Sequence, residues 1–122
     1  MRKQPFAILL RQRIQDVILL RVNLLINAAK YTDPGGLIGL FVGREGGEAV
    51  ICVRDNGIGI DPEVLPHVFD LFVQADPSSR RADGGLGIGL ASVRSMVDRH
   101  GGRVIATSAG CGCGSEFAVH LP

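Results

Sequence analysis

No stretch of this 122-residue chain is apolar for the roughly 20 residues that a membrane-spanning helix requires. The apolar runs Phe6 to Leu10 and Val17 to Leu20 each end at an arginine. The basic start, Met1 to Gln4, is followed by too short an apolar stretch for a secretory leader, and no small-residue cleavage site follows. An excess of one charge is also missing. Thirteen Lys and Arg against twelve Asp and Glu leave a net charge of +1, without the basic surplus that marks a nucleic-acid binder. Cysteine is scarce: Cys52, Cys111 and Cys113 are an odd set with no ligand-like spacing and no neighbouring His pair. That predicts reduced thiols in a cytosolic protein. There are no internal repeats, no low-complexity tract and no Gly-Lys-Ser/Thr phosphate loop. What remains, 46% hydrophobic and 20% charged residues, predicts one globular domain (residues 1–122) in the cytoplasm, touching neither nucleic acid nor membrane.

The segment Ile8 to Tyr31 reads as an amphipathic helix, with Leu10, Ile14, Val17 (or Ile18), Val22, Leu25 and Ala29 at three- and four-residue steps. Asp33-Pro34-Gly35-Gly36 stops it. Phe6 to Leu10 is readable as its first turns after Pro5 or as a short preceding strand. Strands are expected at Leu37 to Val42 and Ala49 to Arg54, joined through Glu45-Gly46-Gly47-Glu48 as a hairpin. A short helix over Pro62 to Phe72, capped by Asp61, follows. Val73 to Gly85 is polar and reads as a loop. A helix from Ile88 to His100, ended by Gly101-Gly102, and strands at Arg103 to Ser108 and Glu116 to Leu121 complete an α+β domain with helices on one face of a sheet.

What the chain has in abundance is glycine, 17 residues in clusters. One lies in Asp55-Asn56-Gly57-Ile58-Gly59, a second in Gly84-Gly85-Leu86-Gly87-Ile88-Gly89-Leu90, and a third comprises Gly110, Gly112 and Gly114. A glycine loop feeding a helix directs free N–H groups and the positive dipole end at an anion, most often phosphate. The dinucleotide-binding pattern does not apply, because a polar loop and not a strand precedes Gly84. Asn23, Asn27 and Lys30 (or Tyr31) share one helical face. An amide on a mostly apolar helix is costly to bury unless bonded. Its oxygen suits Mg²⁺, which shares its shell with waters and substrate phosphates, and Lys30 offers a point charge for phosphate. A solvated helix end would carry the same residue types.

In combination these segments resemble the catalytic, ATP-binding domain of sensor histidine kinases, in the superfamily shared with gyrase, Hsp90 and MutL. Asn23 to Thr32 resembles the asparagine box and Asp55 to Gly59 the first glycine box. Val68 to Phe72 resembles the phenylalanine box, Gly85 to Leu90 the second glycine box, and Gly112 to Phe117 the last. The resemblance implies a Bergerat-type two-layer sandwich on a mixed, mainly antiparallel sheet, with ATP and Mg²⁺ as ligands. It implies that Asn27 coordinates Mg²⁺, that Asp55 accepts a hydrogen bond from the adenine amino group, and that Tyr31 packs against the base. Lys30 contacts phosphate; Gly57 and Gly59 close the backbone around the base. Gly85, Gly87 and Gly89, with Leu90 beside them, present N–H groups to the phosphates. Residues 73–84 form the ATP lid, where Arg80 and Arg81 are candidate phosphate contacts or solvated loop residues. Phe69 and Phe72 anchor the lid's base, and Ser115 bonds near the adenine or simply starts a strand.

Three departures shape the expectation. His67, His100 and His120 all lack a phosphoacceptor context, so the chain alone should bind ATP without autophosphorylating. Its partner would be a histidine-containing dimerisation domain or a response regulator. Hydrolytic members of the superfamily place a Glu four residues before the metal-binding Asn. Here Asn23 stands there, and an amide cannot act as a general base, which favours transfer over hydrolysis. Residues 1–22 are atypical: Arg13 to Ile18 resembles the family's lead into the asparagine box but lies about three residues upstream. The usual first strand is absent or reduced to Phe6 to Leu10. An uncovered sheet edge would invite a homodimer. An anti-sigma-factor-type serine kinase and a non-catalytic nucleotide-binding or interaction module are the alternative functions.

Overall fold

The computed structural model describes residues 6–70 and 88–122. Helix α1 (Phe6–Lys30) leads into strands β1 (Ile38–Glu45) and β2 (Glu48–Asp55); helix α2 (Ile88–Arg99) leads into β3 (Arg103–Thr107) and β4 (Ser115–Leu121). Phe6–Leu10 belong to the helix, not to a strand. Where a 62–72 helix was expected, the described residues form only a 3₁₀ turn at Leu65–His67. Pro66 is the cause: it lacks an N–H and its ring clashes with the carbonyl four residues back. The bonds there accordingly run to the third residue back, from His67 N to Val64 O at 2.8 Å and from Asp70 N to His67 O at 2.9 Å. Asp61 still caps the segment, its Oδ1 accepting from the Glu63 N–H at 2.8 Å.

The sheet runs β1-β2-β4-β3, with each neighbouring pair antiparallel. No parallel pair occurs among the described residues. Gly46 and Gly47, at φ +57° and +82°, make the two-residue hairpin turn, the left-handed pair that matches strand twist. Pairing therefore persists to Glu45↔Glu48, past the Val42 at which the sequence pattern stops.

Both helices lie on one face. Ile51 and Val53 of β2 and Phe117, Val119 and Leu121 of β4 are buried beneath them. On α2, Val93, Met96 and Val97 point into this core. On α1 the buried stripe is Leu20, Leu24 and Ala28, with Val17 and Leu25 half-buried beside it. This corrects the expected stripe, since Ile14 is 52% and Val22 44% exposed. Residues 17–26 are apolar around most of the helix, so three- and four-residue spacing fits several faces, and only docking on the sheet selects one. At the far end, Gly102 N donates to Val97 O at 3.0 Å and ends α2 through Gly101 at φ +72°. His100 Nε2 lies 2.9 Å from Asp16 Oδ2 and ties the end of α2 to α1. Phe69 meets Phe117 edge-to-face with centroids 6.0 Å apart, which anchors the residues after the 3₁₀ turn in the core; Phe72 lies outside the described residues. Strand β1 is an edge among the described strands, with Phe41 and Val42 exposed on it and Leu37 exposed just before it.

Candidate functional site

The chain reverses at one end of the sheet, where β2 finishes and β4 begins. Asp55, the last residue of β2, is only 7% exposed. Its Oδ1 accepts from the Gly57 N–H at 2.9 Å and its Oδ2 from the Ser115 hydroxyl at 2.8 Å. Both oxygens are thus fixed in direction, and each carboxylate oxygen keeps a second lone pair.

Gly57 lies so close to the end of α1 that a Cβ there would run into the carbonyl of Tyr31. That carbonyl accepts from the Ile58 N–H at 2.9 Å. The glycine loop is therefore pinned directly to α1. Gly59, at φ +73°, leaves room for the carbonyl of Gly110. The first and third glycine clusters interlock through Gly112 N to Ile58 O at 2.6 Å and Gly114 N to Gly57 O at 3.2 Å.

Between them opens a pocket of about 580 Å³ lined by residues 33–36, 56–58 and Gly112, within the size range of small-molecule sites. Tyr31 is buried, and the Lys30 ammonium lies 5.6 Å from its ring centre. Asn23 and Asn27 are half-buried on the same helix. Thr32 Oγ1 is buried without a hydrogen-bond partner among the described residues. Gly89 is exposed and Leu90 is buried in the core. Arg80, Arg81, Gly85, Gly87 and the 73–84 segment lie outside the described residues.

Two residues of this region carry no motif signal. Asn56 Oδ1 accepts from the Leu37 N–H at 2.8 Å and closes the pocket against the start of β1. Ser108 Oγ accepts from the Ile60 N–H at 3.0 Å and donates to Gly114 O at 2.7 Å, so one hydroxyl joins both loops. Asn is frequent at such turns, a general turn signal from which Asn56 could have been found; Ser108 has none in sequence.

Among the described residues no cluster of three His, Cys, Asp or Glu is placed to hold a metal. No described helix is long and apolar enough to cross a membrane.

Residues 13–122 match the family described as Histidine kinase-, DNA gyrase B-, and HSP90-like ATPase. The chain is similar to the Circadian input-output histidine kinase CikA of Synechococcus elongatus, with 45% identity over 111 residues, and covers 14% of that protein's length against 91% of its own. Its fold is similar to that of the Mycobacterial sensor histidine kinase MprB, with a TM-score of 0.74 and 31% identity over 88% of this chain and 70% of that one. ShkA, solved at full length in complex with AMPPNP, gives a TM-score of 0.74 and 30% identity over 88% of this chain and 21% of that one.

Proposed function

The chain belongs to the family of histidine kinase-, DNA gyrase B- and HSP90-like ATPases, and from that membership we propose that it is the ATP–Mg²⁺-binding catalytic domain of a sensor histidine kinase. The observation that carries the reading is the buried Asp55 carboxylate at the end of β2, held by Gly57 and Ser115 and followed directly by Asn56, Gly57 and Ile58 of the pocket lining. A carboxylate whose two oxygens are already oriented is a ready acceptor for the exocyclic amine of adenine. Tyr31 borders the base, and Lys30 lies toward the phosphates. Asn27 would hold Mg²⁺ through its amide oxygen, and the ion would neutralise phosphate charge. By the resemblance alone, Gly89 and, outside the described residues, Gly85, Gly87 and the candidates Arg80 and Arg81 would meet the phosphates. That ShkA was solved with an ATP analogue supports the ligand class.

The γ-phosphoryl group would pass to a histidine on a separate dimerisation domain, and from there to a response regulator. Because the chain covers 14% of the similar circadian kinase, such domains have ample room in a longer protein. Of the histidines described here, His67 pairs with Asp70 and His100 with Asp16, while His120 Nδ1 is buried 3.6 Å from Glu48 Oε1 without a hydrogen bond among the described residues. Asn23 in place of an acid favours transfer over hydrolysis.

Titration with an ATP analogue, with and without Mg²⁺, tests the reading by calorimetry or thermal shift. At 100 times its Kd the ligand should stabilise the fold by about 2.7 kcal/mol. Asn27→Asp should disturb chiefly the Mg²⁺ dependence. Absence of binding by the wild-type protein sinks the proposal.

The exposed β1 edge, with Phe41 and Val42 at the surface and Leu37 exposed just before it, supports self-association of the isolated domain. Light scattering that finds only monomer at high concentration refutes it.

A further inference from the structure

Cys111 and Cys113 are free, exposed, and placed on either side of Gly112, which lines the pocket. The Cys113 N–H donates to Gly110 O at 3.1 Å and closes a four-residue turn with Cys111 and Gly112 at its centre. Gly112, at φ +81°, takes the left-handed conformation that the second central position of a type II turn demands. Consecutive Cα atoms are about 3.8 Å apart. Residues two apart on a turning backbone therefore approach within the roughly 4.4–6.8 Å that a disulfide bridges. The Cys113 sulfur is already folded back along the chain, 3.8 Å from Cys111 O.

We propose that Cys111 and Cys113 form a redox dithiol at the rim of the pocket, and that its oxidation by hydrogen peroxide to an intraloop disulfide weakens nucleotide binding. The second half of this inference rests on the nucleotide-binding reading above.

The chemistry balances with one peroxide. The thiolate of one cysteine attacks the O–O bond, giving a sulfenic acid and releasing hydroxide, which takes up a proton as water. The second thiol attacks the sulfenic sulfur, the S–S bond forms, and the hydroxyl leaves with the thiol's proton as a second water. Two sulfurs lose two electrons and the peroxide gains them.

The coupling follows from how the turn is held. A disulfide draws the two Cβ atoms to roughly 3.5–4.5 Å, which resets the backbone on either side of Gly112. Gly112 donates to Ile58 O at 2.6 Å, and Gly114 just beyond donates to Gly57 O at 3.2 Å. A change in the turn therefore passes straight into the loop that follows Asp55.

Cys52 serves as an internal control. It is half-buried, and its thiol donates to Glu116 Oε1 at 3.0 Å on the open face of the sheet. Burial and the neighbouring carboxylate push its pKa up to about 11, so it stays protonated and unreactive.

The test exposes the purified protein to hydrogen peroxide, quenches it, and measures intact mass, free thiols and ATP-analogue affinity. The expected product has lost two hydrogens, keeps one of its three thiols, and recovers with dithiothreitol. Its affinity is weaker by roughly fivefold or more, the lower end of coupling between linked sites. The Cys111→Ser/Cys113→Ser protein should show one affinity with or without peroxide. Oxygen addition without hydrogen loss, or a disulfide between two chains, overturns the dithiol. A disulfide with unchanged affinity overturns the coupling alone. Reduced protein that binds no nucleotide overturns the function and the coupling together, while the mass result still decides the dithiol.

Discussion

Asp55 and Ser115 face each other as register partners at the end of the β2–β4 ladder, and the serine hydroxyl donates to the carboxylate at 2.8 Å. A strand-start serine thereby becomes the orienting group of the proposed base-binding acid. Ser115→Ala should cost about 1 kcal/mol of stability and weaken ATP-analogue affinity without abolishing it. Asp55→Asn can still accept from Gly57 through its amide oxygen, and Ser115 can reverse to accept from the new NH₂. The fold should therefore persist while affinity falls by roughly 1.5–3 kcal/mol, the worth of a hydrogen bond to a charged group. Calorimetry on both variants, with thermal melts for folding, checks this; unchanged affinity in Asp55→Asn refutes the assignment.

Gly59 and Gly43 give opposite expectations for the same substitution. A Cβ at Gly59 meets the Gly110 carbonyl on a backbone at φ +73°, whereas one at Gly43 meets nothing within 4 Å. Gly59→Ala should cost about 1–3 kcal/mol from the left-handed backbone alone, and more from the clash. Gly43→Ala, on the edge strand, should be neutral or stabilising by roughly 0.4–1 kcal/mol. Urea denaturation of the two variants measures the contrast.

The His100–Asp16 pair is the side-chain link between the end of α2 and α1. Their side chains are 13% and 16% exposed, against 65% and 60% for His67 and Asp70. Removing Asp16 strands a half-buried imidazole, so Asp16→Ala should cost about 1–3 kcal/mol. Asp70→Ala, at a solvent-screened pair, should cost less than about 1 kcal/mol. Equal losses in thermal melts would contradict the inferred difference in burial.

Two groups on the open face set a pH dependence. Burial, then the hydrogen bond to Glu116, raises the Cys52 thiol from 9.0 to about 11. The folded protein holds a proton that the unfolded chain loses, so stability should fall as pH rises from 9 to about 11. Glu116 is shifted the other way, lowered first by the Cys52 hydrogen bond and then by Arg54, against the opposing effect of burial. Its contribution is present above the ordinary carboxylate range and is lost as acid protonates it in the fold. Cys52→Ala should flatten the alkaline limb in thermal melts and shorten the acid one. An unchanged alkaline limb would count against the raised thiol.

Much of this was legible in sequence because local chemistry fixed it. Gly46-Gly47 demanded a tight hairpin, Gly101-Gly102 ended α2, and Asp55-x-Gly-x-Gly announced a backbone that must pass close to something. The helix face of α1 was not legible, since Leu20, Leu24 and Ala28 are no more apolar than Ile14, Ile18 and Val22; the sheet beneath made the choice. The 3₁₀ turn at Leu65–His67 stands where a helix over Pro62 to Phe72 is expected, because Pro66 lacks the N–H that a helix interior needs. Ser108 was invisible because its importance comes from joining loops 48 residues apart in sequence, at Ile60.

Strand β4 emerges last from the ribosome among the described strands, yet it takes an inner place between β2 and β3. Until it and the loop before it arrive, Asp55 lacks the Ser115 hydroxyl and the carbonyls of Gly57 and Ile58 lack the donors of Gly114 and Gly112. A nascent chain halted before residue 110 would carry Asp55 and the first glycine loop with neither of these supports. The bonds that fix the loop after Asp55 are thus among the last that synthesis makes available.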